Sequence, residues 1–367
     1  MLRFILRALG VIFILAILGF AYLAFWPVPI SPQAWDAPED AGYTGDFLSN
    51  TKLATFETIS LGDYPGPEDV VIIDGAVYAA SHTGAITKID FDAKAVAKIA
   101  DTGGKPLGME PARDGGVYVA DAYKGLIHVA MDGKVTTLTD SVDGTPIAYA
   151  DDLDIGADGT IYFSDASTKF GAQAVGSTMD ASLLEIMEQG RTGRLLAYNP
   201  ADQSTRVVAE GFSFSNGVAM EPPHSDGRES VLMTETGRYR VLRVWVSGPR
   251  AGQHDVIIDN LPGFPDNINR ADNGTYWLGL ISPRSKWLDD NSAKPKARAM
   301  AMRLPASMRP KAENYGHIVR ITAVGEVLET RQDPDGAYPQ ITGAFVGGDG
   351  YLYLTSLTAP DLARVKE

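Results

Sequence analysis

GGVYVADAYKGLIHVAMDG, residues Gly115 to Gly133, is the stretch whose reading decides the fold. It holds a short run of β-branched and aromatic residues, a turn containing Gly125, a second such run, and a closing Asp-Gly turn. One hairpin of this kind is marginal in water, so its meaning depends on company. The company is there. The phrase returns as GAVYAASHTGAITKID (Gly75 to Asp90), and as GTIYFSDAST (Gly159 to Thr168) with GRLLAYNP (Gly193 to Pro200). Later copies are VLMTETGRYRVLRVWV (Val231 to Val246), GTYWLGLI (Gly274 to Ile281) with GHIVRIT (Gly316 to Thr322), and GYLYLTSLTAPDLARV (Gly350 to Val365). Small sheets repeating every ~40 to 50 residues between turn dipeptides predict an all-β, six-bladed β-propeller. A β-sandwich also uses short strands, but it does not explain six matched phrases. The strand ATFETI (Ala54 to Ile59) is expected to complete the last blade and close the ring. The spacing stretches after the third and fifth copies, where the helical-looking text lies: Met179 to Gly190, and a basic segment from Arg284 to Lys311.

Before four of the Gly-Tyr strands lies a loop carrying oxygen donors: GPED (Gly66 to Asp69), YADDLDI (Tyr149 to Ile155), FSNGVAM (Phe214 to Met220) and GFPDNINR (Gly263 to Arg270). In the last, Asp266 and Asn267 sit behind Pro265 and between Phe264 and Ile268, where burial is expected. An unpaired carboxylate there would cost several kcal/mol or be driven neutral. The shared pattern predicts that Glu68, Asp151, Asn216 and Asp266, with Asn267 behind, converge on the propeller axis. Carboxylate and amide oxygens without His or Cys select a hard cation, Ca2+ before Mg2+, although another divalent ion would also find ligands. Any one of these loops alone reads as an Asx turn. Four in matching register argue for one axial ion.

Composition narrows the function classes. The 367 residues include no cysteine, which excludes disulfides, thiolate metal sites and a cysteine nucleophile. A formal net charge of −14 argues against a nucleic-acid partner. No nucleophile elbow, phosphate-binding loop, dinucleotide fingerprint or H-E-x-x-H occurs. The five histidines are scattered, and only His82 follows an inner strand; a lone histidine there reads first as a packed or solvated side chain.

The N-terminus differs in kind. After Arg3 and Arg7, the uncharged run Ala8 to Trp26 is long enough to span a bilayer, and Pro27 and Pro29 stop it. A cleaved signal peptide is the alternative, but its shorter core and small-x-small site are poorly matched by Ala21-Tyr22-Leu23-Ala24. The layout is therefore a cytoplasmic tip and signal anchor over residues 1–30, a linker over 31–50 and the propeller over 51–367. Positive charge before the span places the propeller outside the cytoplasm, in a periplasm, a lumen or at the cell surface. The basic segment interleaves Met300, Met302, Leu304 and Met308 with its charges. It reads as a lid over the channel, a patch on anionic headgroups, or an amphipathic insertion docked on the rim.

GPEDVVI, GKPLGM, VADAYKGL, DDLDI, FSNGVA, TETGRYRVLRVWVSGPRAG and GFPDNI together resemble the family of strictosidine synthase-like and adipocyte plasma membrane-associated proteins, over about Glu57 to Val365. More distantly the chain is similar to paraoxonases, gluconolactonases and regucalcin. The resemblance implies a Ca2+ at the bottom of the channel that meets an ester or lactone oxygen, with Glu68, Asn216, Asp266 and Asn267 as ligands. Asp151 stands where the family usually has Asn, which keeps the oxygen and adds a charge. The paraoxonase histidines are missing, with Leu107 and the neighbourhood of Ala122 in their places. Pro339 stands where strictosidine synthase carries its catalytic Glu, so a Pictet-Spengler condensation is not expected. The leading expectation is thus a membrane-anchored ester or lactone hydrolase in which Asp266 holds the metal and activates water. The rival is a non-catalytic propeller whose Ca2+ is structural and whose channel mouth or basic insertion binds a partner or lipid.

Overall fold

A computed structural model describes residues 1–90, 95–113 and 115–367, Leu2 by its backbone alone. Six four-stranded antiparallel sheets follow one another along the chain. Their inner strands are Pro67–Ile73, Pro106–Pro111, Ala150–Ile155, Ser215–Met220, Gly263–Arg270 and Ile341–Val346, which open blades one to six. Each repeated phrase supplies the second and third strands of its blade, as the spacing predicts. Ring closure is also as expected. Glu57–Ile59 pairs antiparallel with Leu362–Lys366, so the start of the propeller finishes the last blade. An edge that would otherwise invite pairing with another chain is thereby used up.

One irregularity recurs in all six blades and positions the site. The pairing of each inner strand with its neighbour slips near its start: between Pro67 and Asp69, Pro106 and Met109, Ala150 and Leu153, Ser215 and Val218, Pro265 and Ile268, and Ile341 and Ala344. A β-bulge turns the extra residue out of the ladder and leaves backbone groups to be satisfied elsewhere. Here the neighbouring blades supply the acceptors. The Met109 amide donates to Asp69 at 2.8 Å, and the Val218 amide donates to Asp152 at 2.7 Å. The motif-bearing stretches expected as loops are therefore strand starts with a bulge, and the bulge aims Glu68, Asp151, Asn216 and Asp266 at the axis.

The polar residue ending the second strand has a fixed task as well. Asp121 accepts the Lys105 amide at 2.8 Å, and Asp165 accepts the Tyr149 amide at 3.0 Å. Each ties down the segment that leads into its own inner strand.

Two insertions break the regularity, and both lie inside a blade rather than after it. Helices α2 (Ala172–Val175) and α3 (Thr178–Glu188) join the second and third strands of blade three; α4 (Lys286–Asp290) and α5 (Pro295–Ala301) do the same in blade five. Because strands alternate in direction, such connections emerge on the face where inner strands begin. Both insertions therefore stand over the bulges. Ser177 caps α3 by accepting the Asp180 amide at 3.0 Å. A fully buried Arg298 on α5 donates to the Met187 and Ser292 carbonyls at 3.0 Å each and to that of Gln33, binding the two insertions to the linker.

The chain begins with α1 (Leu2–Phe25), whose 24 residues make a rod of roughly 36 Å at 1.5 Å per residue. Its most apolar window is 0% buried, so the helix stands away from the propeller for nearly its whole length. Length and hydropathy suit a membrane span.

Candidate metal centre

The five residues read from the sequence do meet. Glu68, Asp151, Asn216, Asp266 and Asn267 come from blades one, three, four and five, and each is at most 5% exposed. Asn216 donates its amide to Asp266 Oδ1, and Asn267 donates to Glu68 Oε1 at 3.2 Å. The second contact joins blade five to blade one across the place of blade six, which only side chains on the axis can do. Thr342 of blade six supports it by donating to the Glu68 carbonyl at 2.7 Å.

What these contacts leave over is more telling. Glu68 Oε2, Asn216 Oδ1, Asp266 Oδ2 and Asn267 Oδ1 are all buried without a hydrogen-bond partner. Each such oxygen costs about 1–3 kcal/mol, and more when charged. Burial raises the Glu68 carboxyl well above its usual range, with repulsion from Asp266 and Asp151 adding to it. Asp151 is raised for the same first reason, then by Asp266 and Asp165. Asp266 is pushed up to about 7 by burial, against the pull of the Asn216 amide. Among the described residues no cation is ion-paired with these three carboxylates; Lys105 feels the charge of Glu68 but gives its ammonium to the His82 carbonyl at 2.9 Å. Among the described residues no three His, Cys, Asp or Glu side chains gather closely enough to hold a metal by themselves. The donor set is mixed, with two amides beside three carboxylates, and hard oxygens of both kinds suit Ca2+.

Four of the five face a cavity of about 780 Å3; Asn267 lies beneath them. Leu107, Phe214 and Phe264 form its lower wall, and α3, α4 and the segment after α5 form its roof. The basic insertion thus covers the channel, the first of its three readings. Tyr149 links floor to roof, with its hydroxyl 2.9 Å from Ser182 Oγ. Among the described residues lining this cavity there is no histidine. His82 is half-buried with Nδ1 3.2 Å from the Leu357 carbonyl, and burial lowers its pKa, so it is a packed side chain.

Beneath the site lies a second acidic tier that the motif reading passed over. Asp69 and Asp152 follow Glu68 and Asp151 directly, and with Asp154 they line a smaller cavity further down the channel. Asp154 accepts the Met220 amide at 2.7 Å and pairs with Arg270 at 2.8 Å. The doublets Glu68-Asp69 and Asp151-Asp152 were the available signal. At a bulge, consecutive side chains serve two levels of one channel.

Comparison with known proteins follows the geometry. The strictosidine synthase family model matches residues 151–249, and that of the strictosidine synthase-like N-terminal region matches 45–89. The adipocyte plasma membrane-associated protein of Salmo salar is 31% identical over 99% of this chain and 90% of its own length. The chain belongs to this family. Its plant branch is similar too: protein strictosidine synthase-like 13 of Arabidopsis thaliana is 33% identical over 70% of this chain and 62% of its own. Among solved structures, a gluconolactonase of Xanthomonas campestris superposes with a TM-score of 0.60 at 12% identity, covering 85% of this chain and 88% of that one. A calcium-binding regucalcin from Agrobacterium tumefaciens gives 0.58 at 13%, covering 84% and 93%. At such identities the structures share a fold with this family member, and its chemistry has to be argued from its own residues.

Proposed function

We propose that the protein is a membrane-anchored hydrolase of esters or lactones whose axial oxygens hold one Ca2+. One observation carries this reading: three uncompensated buried oxygens, of Glu68, Asn216 and Asp266, on residues that line a cavity with apolar walls, and a fourth on Asn267 next to them. Glu68, Asp151, Asn216, Asp266 and Asn267 would hold the ion. When bound, Ca2+ supplies a Lewis acid that polarises a carbonyl and stabilises developing oxyanion charge. Leu107, Phe214 and Phe264 would take the apolar part of the substrate and keep bulk water from the floor, which strengthens every electrostatic contact there. Asp266 Oδ2 has no hydrogen-bond partner among the described residues, and in this reading it would take a proton from an attacking water. The relatives support the class from a distance. One neighbour in fold is described as a gluconolactonase and another as a calcium-binding regucalcin. The anchor is α1, with Arg3 and Arg7 keeping its start in the cytoplasm and the propeller outside.

A second reading is favoured by Leu107 and by the lack of a histidine among the described lining residues: Ca2+ as a clamp on the blades, with no turnover. The two separate in one experiment on the full chain in nanodiscs, assayed on aryl esters and lactones with Ca2+, with EDTA, and as Asp266→Ala. Hydrolysis that needs both the ion and Asp266 supports catalysis here. No turnover on any substrate, with Ca2+ still raising the melting temperature, supports the clamp.

A further inference from the structure

The roof insertion of blade five carries contacts that roofing a cavity does not require. Arg303, just beyond α5, donates Nε to the Trp26 carbonyl and Nη1 to the Leu23 carbonyl, the latter at 3.0 Å. These are carbonyls at the end of α1, where no further turn exists to use them. Tyr22, Phe25 and Trp26 surround the same end, all exposed, in the position where aromatic side chains settle at a membrane surface. Wherever α1 crosses a bilayer, Arg303 lies at the level of its headgroups.

The side chains around Arg303 fit that level. Met308 is 65% exposed and Trp287 36%, while the rest of the cavity's apolar lining is largely covered; Met300, outside that lining, is 43% exposed. Lys296 and Lys311 are exposed beside them. The segment from Arg284 to Lys311 has eight Lys and Arg against Asp289 and Asp290, on a chain whose net charge is −14; Arg284 and Arg298 are buried, which leaves six toward the surface. Cationic side chains with exposed apolar ones on the same short segment form an interfacial surface, and each Lys or Arg near an anionic leaflet contributes ~1 kcal/mol. Pro29, Trp287, Met308 and Lys311 also line the cavity, so this surface borders its mouth.

We infer that the blade-five insertion docks on an anionic phospholipid bilayer, with Met308 and Trp287 entering the headgroup layer and the cavity mouth held against it. Docking rests on α1 being a membrane anchor and needs no hydrolysis, so its test reads position and not turnover.

The absence of cysteine makes the test clean. Single cysteines are placed in the full chain at Met308 and, as a control, at Val324, and each is labelled with an environment-sensitive fluorophore. Val324 is 71% exposed and sits in the turn between the third and fourth strands of blade five, on the opposite face of the propeller. Each protein is reconstituted in nanodiscs with nitroxide lipids, in phosphatidylcholine alone or with phosphatidylglycerol. A label at Met308→Cys should be quenched about threefold more than one at Val324→Cys, since interfacial segments lie within ~10 Å of the acyl boundary. The difference should grow with phosphatidylglycerol and shrink in Lys296→Glu/Lys311→Glu. Equal quenching at the two positions overturns docking. Strong quenching at Met308→Cys that ignores lipid charge overturns the anionic headgroup as the partner. Melting temperatures matching the wild type confirm that each variant is folded.

Discussion

Replacing Asp266 by Asn should make the metal-free protein more stable, the reverse of what removing a buried polar contact usually does. The Asp266 carboxyl is pushed up to about 7 by burial, from an ordinary 3.8. At ~1.4 kcal/mol per unit, ionising it at pH 8 costs the metal-free fold on the order of 4 kcal/mol. An amide in its place carries no such penalty, but it weakens the bond from Asn216 by about 1 kcal/mol, leaving a gain of ~3 kcal/mol. A propeller of roughly 300 residues loses about 0.6 kcal/mol per kelvin at its transition, so the melting temperature in EDTA should rise by ~5 °C. The sign with pH follows. A carboxyl raised in the folded state binds protons that the unfolded chain has released between pH 4 and 7, so the wild type in EDTA should gain stability as pH falls through that window. Asp266→Asn should gain less. Added Ca2+ should raise the wild-type melting temperature at pH 8 and do so progressively less toward pH 5, where protons compete for the same oxygens; the variant should respond weakly throughout. Calorimetry of the full chain in detergent, with EDTA or Ca2+, measures all of this. A variant less stable than the wild type in EDTA, with an undiminished response to Ca2+, would refute the reasoning.

Arg298→Met removes a fully buried guanidinium and leaves the carbonyls of Met187, Ser292 and Gln33 without their donor. It should cost about 3 kcal/mol and expose residues 284–311 to limited proteolysis while the blades stay resistant. His317 is buried, with its pKa depressed to about 3 by desolvation. It stays neutral in the fold, so its contribution is fully present above pH 6.5 and is lost as pH falls toward 3; His317→Gln should flatten that acid limb in a melting-temperature series. Asp151→Asn removes one charge from the axial cluster and keeps an oxygen there. Ca2+ affinity should weaken by about tenfold, and the rate of hydrolysis should change more than the melting temperature. Titration calorimetry and steady-state rates check this pair.

Much of the architecture could be read directly, because a propeller is local. Each blade is a consecutive meander, so VYVAD, IYFSD and VLMTE mark strands that pair with their sequence neighbours. Even ring closure through Glu57–Ile59 followed from one spare strand. The meeting of the oxygen donors was legible for a related reason. A motif repeated at the same place in several blades must converge when the blades are arranged about an axis. The bulge was not legible, since a register slip depends on which backbone groups the adjacent blade can satisfy, as Asp69 does for Met109. Nor was the task of the second residue in each doublet, because only the bulge separates Glu68 from Asp69 into two tiers. The helical insertions were recognised, but their position inside blades three and five was not, since nothing local fixes where a long connection leaves a sheet.

The sequence by itself determined the six repeated blades and their order, the long apolar helix and the oxygen donors, because periodicity, turn chemistry and side-chain type are properties of short segments. Tertiary structure alone decided that Glu68, Asn216, Asp266 and Asn267 each keep an unpartnered oxygen, that α3 to α5 roof the cavity, and that Arg303 grips the end of α1. Those facts turn on which groups from distant segments exclude water from one another, and that is settled only when the ring closes.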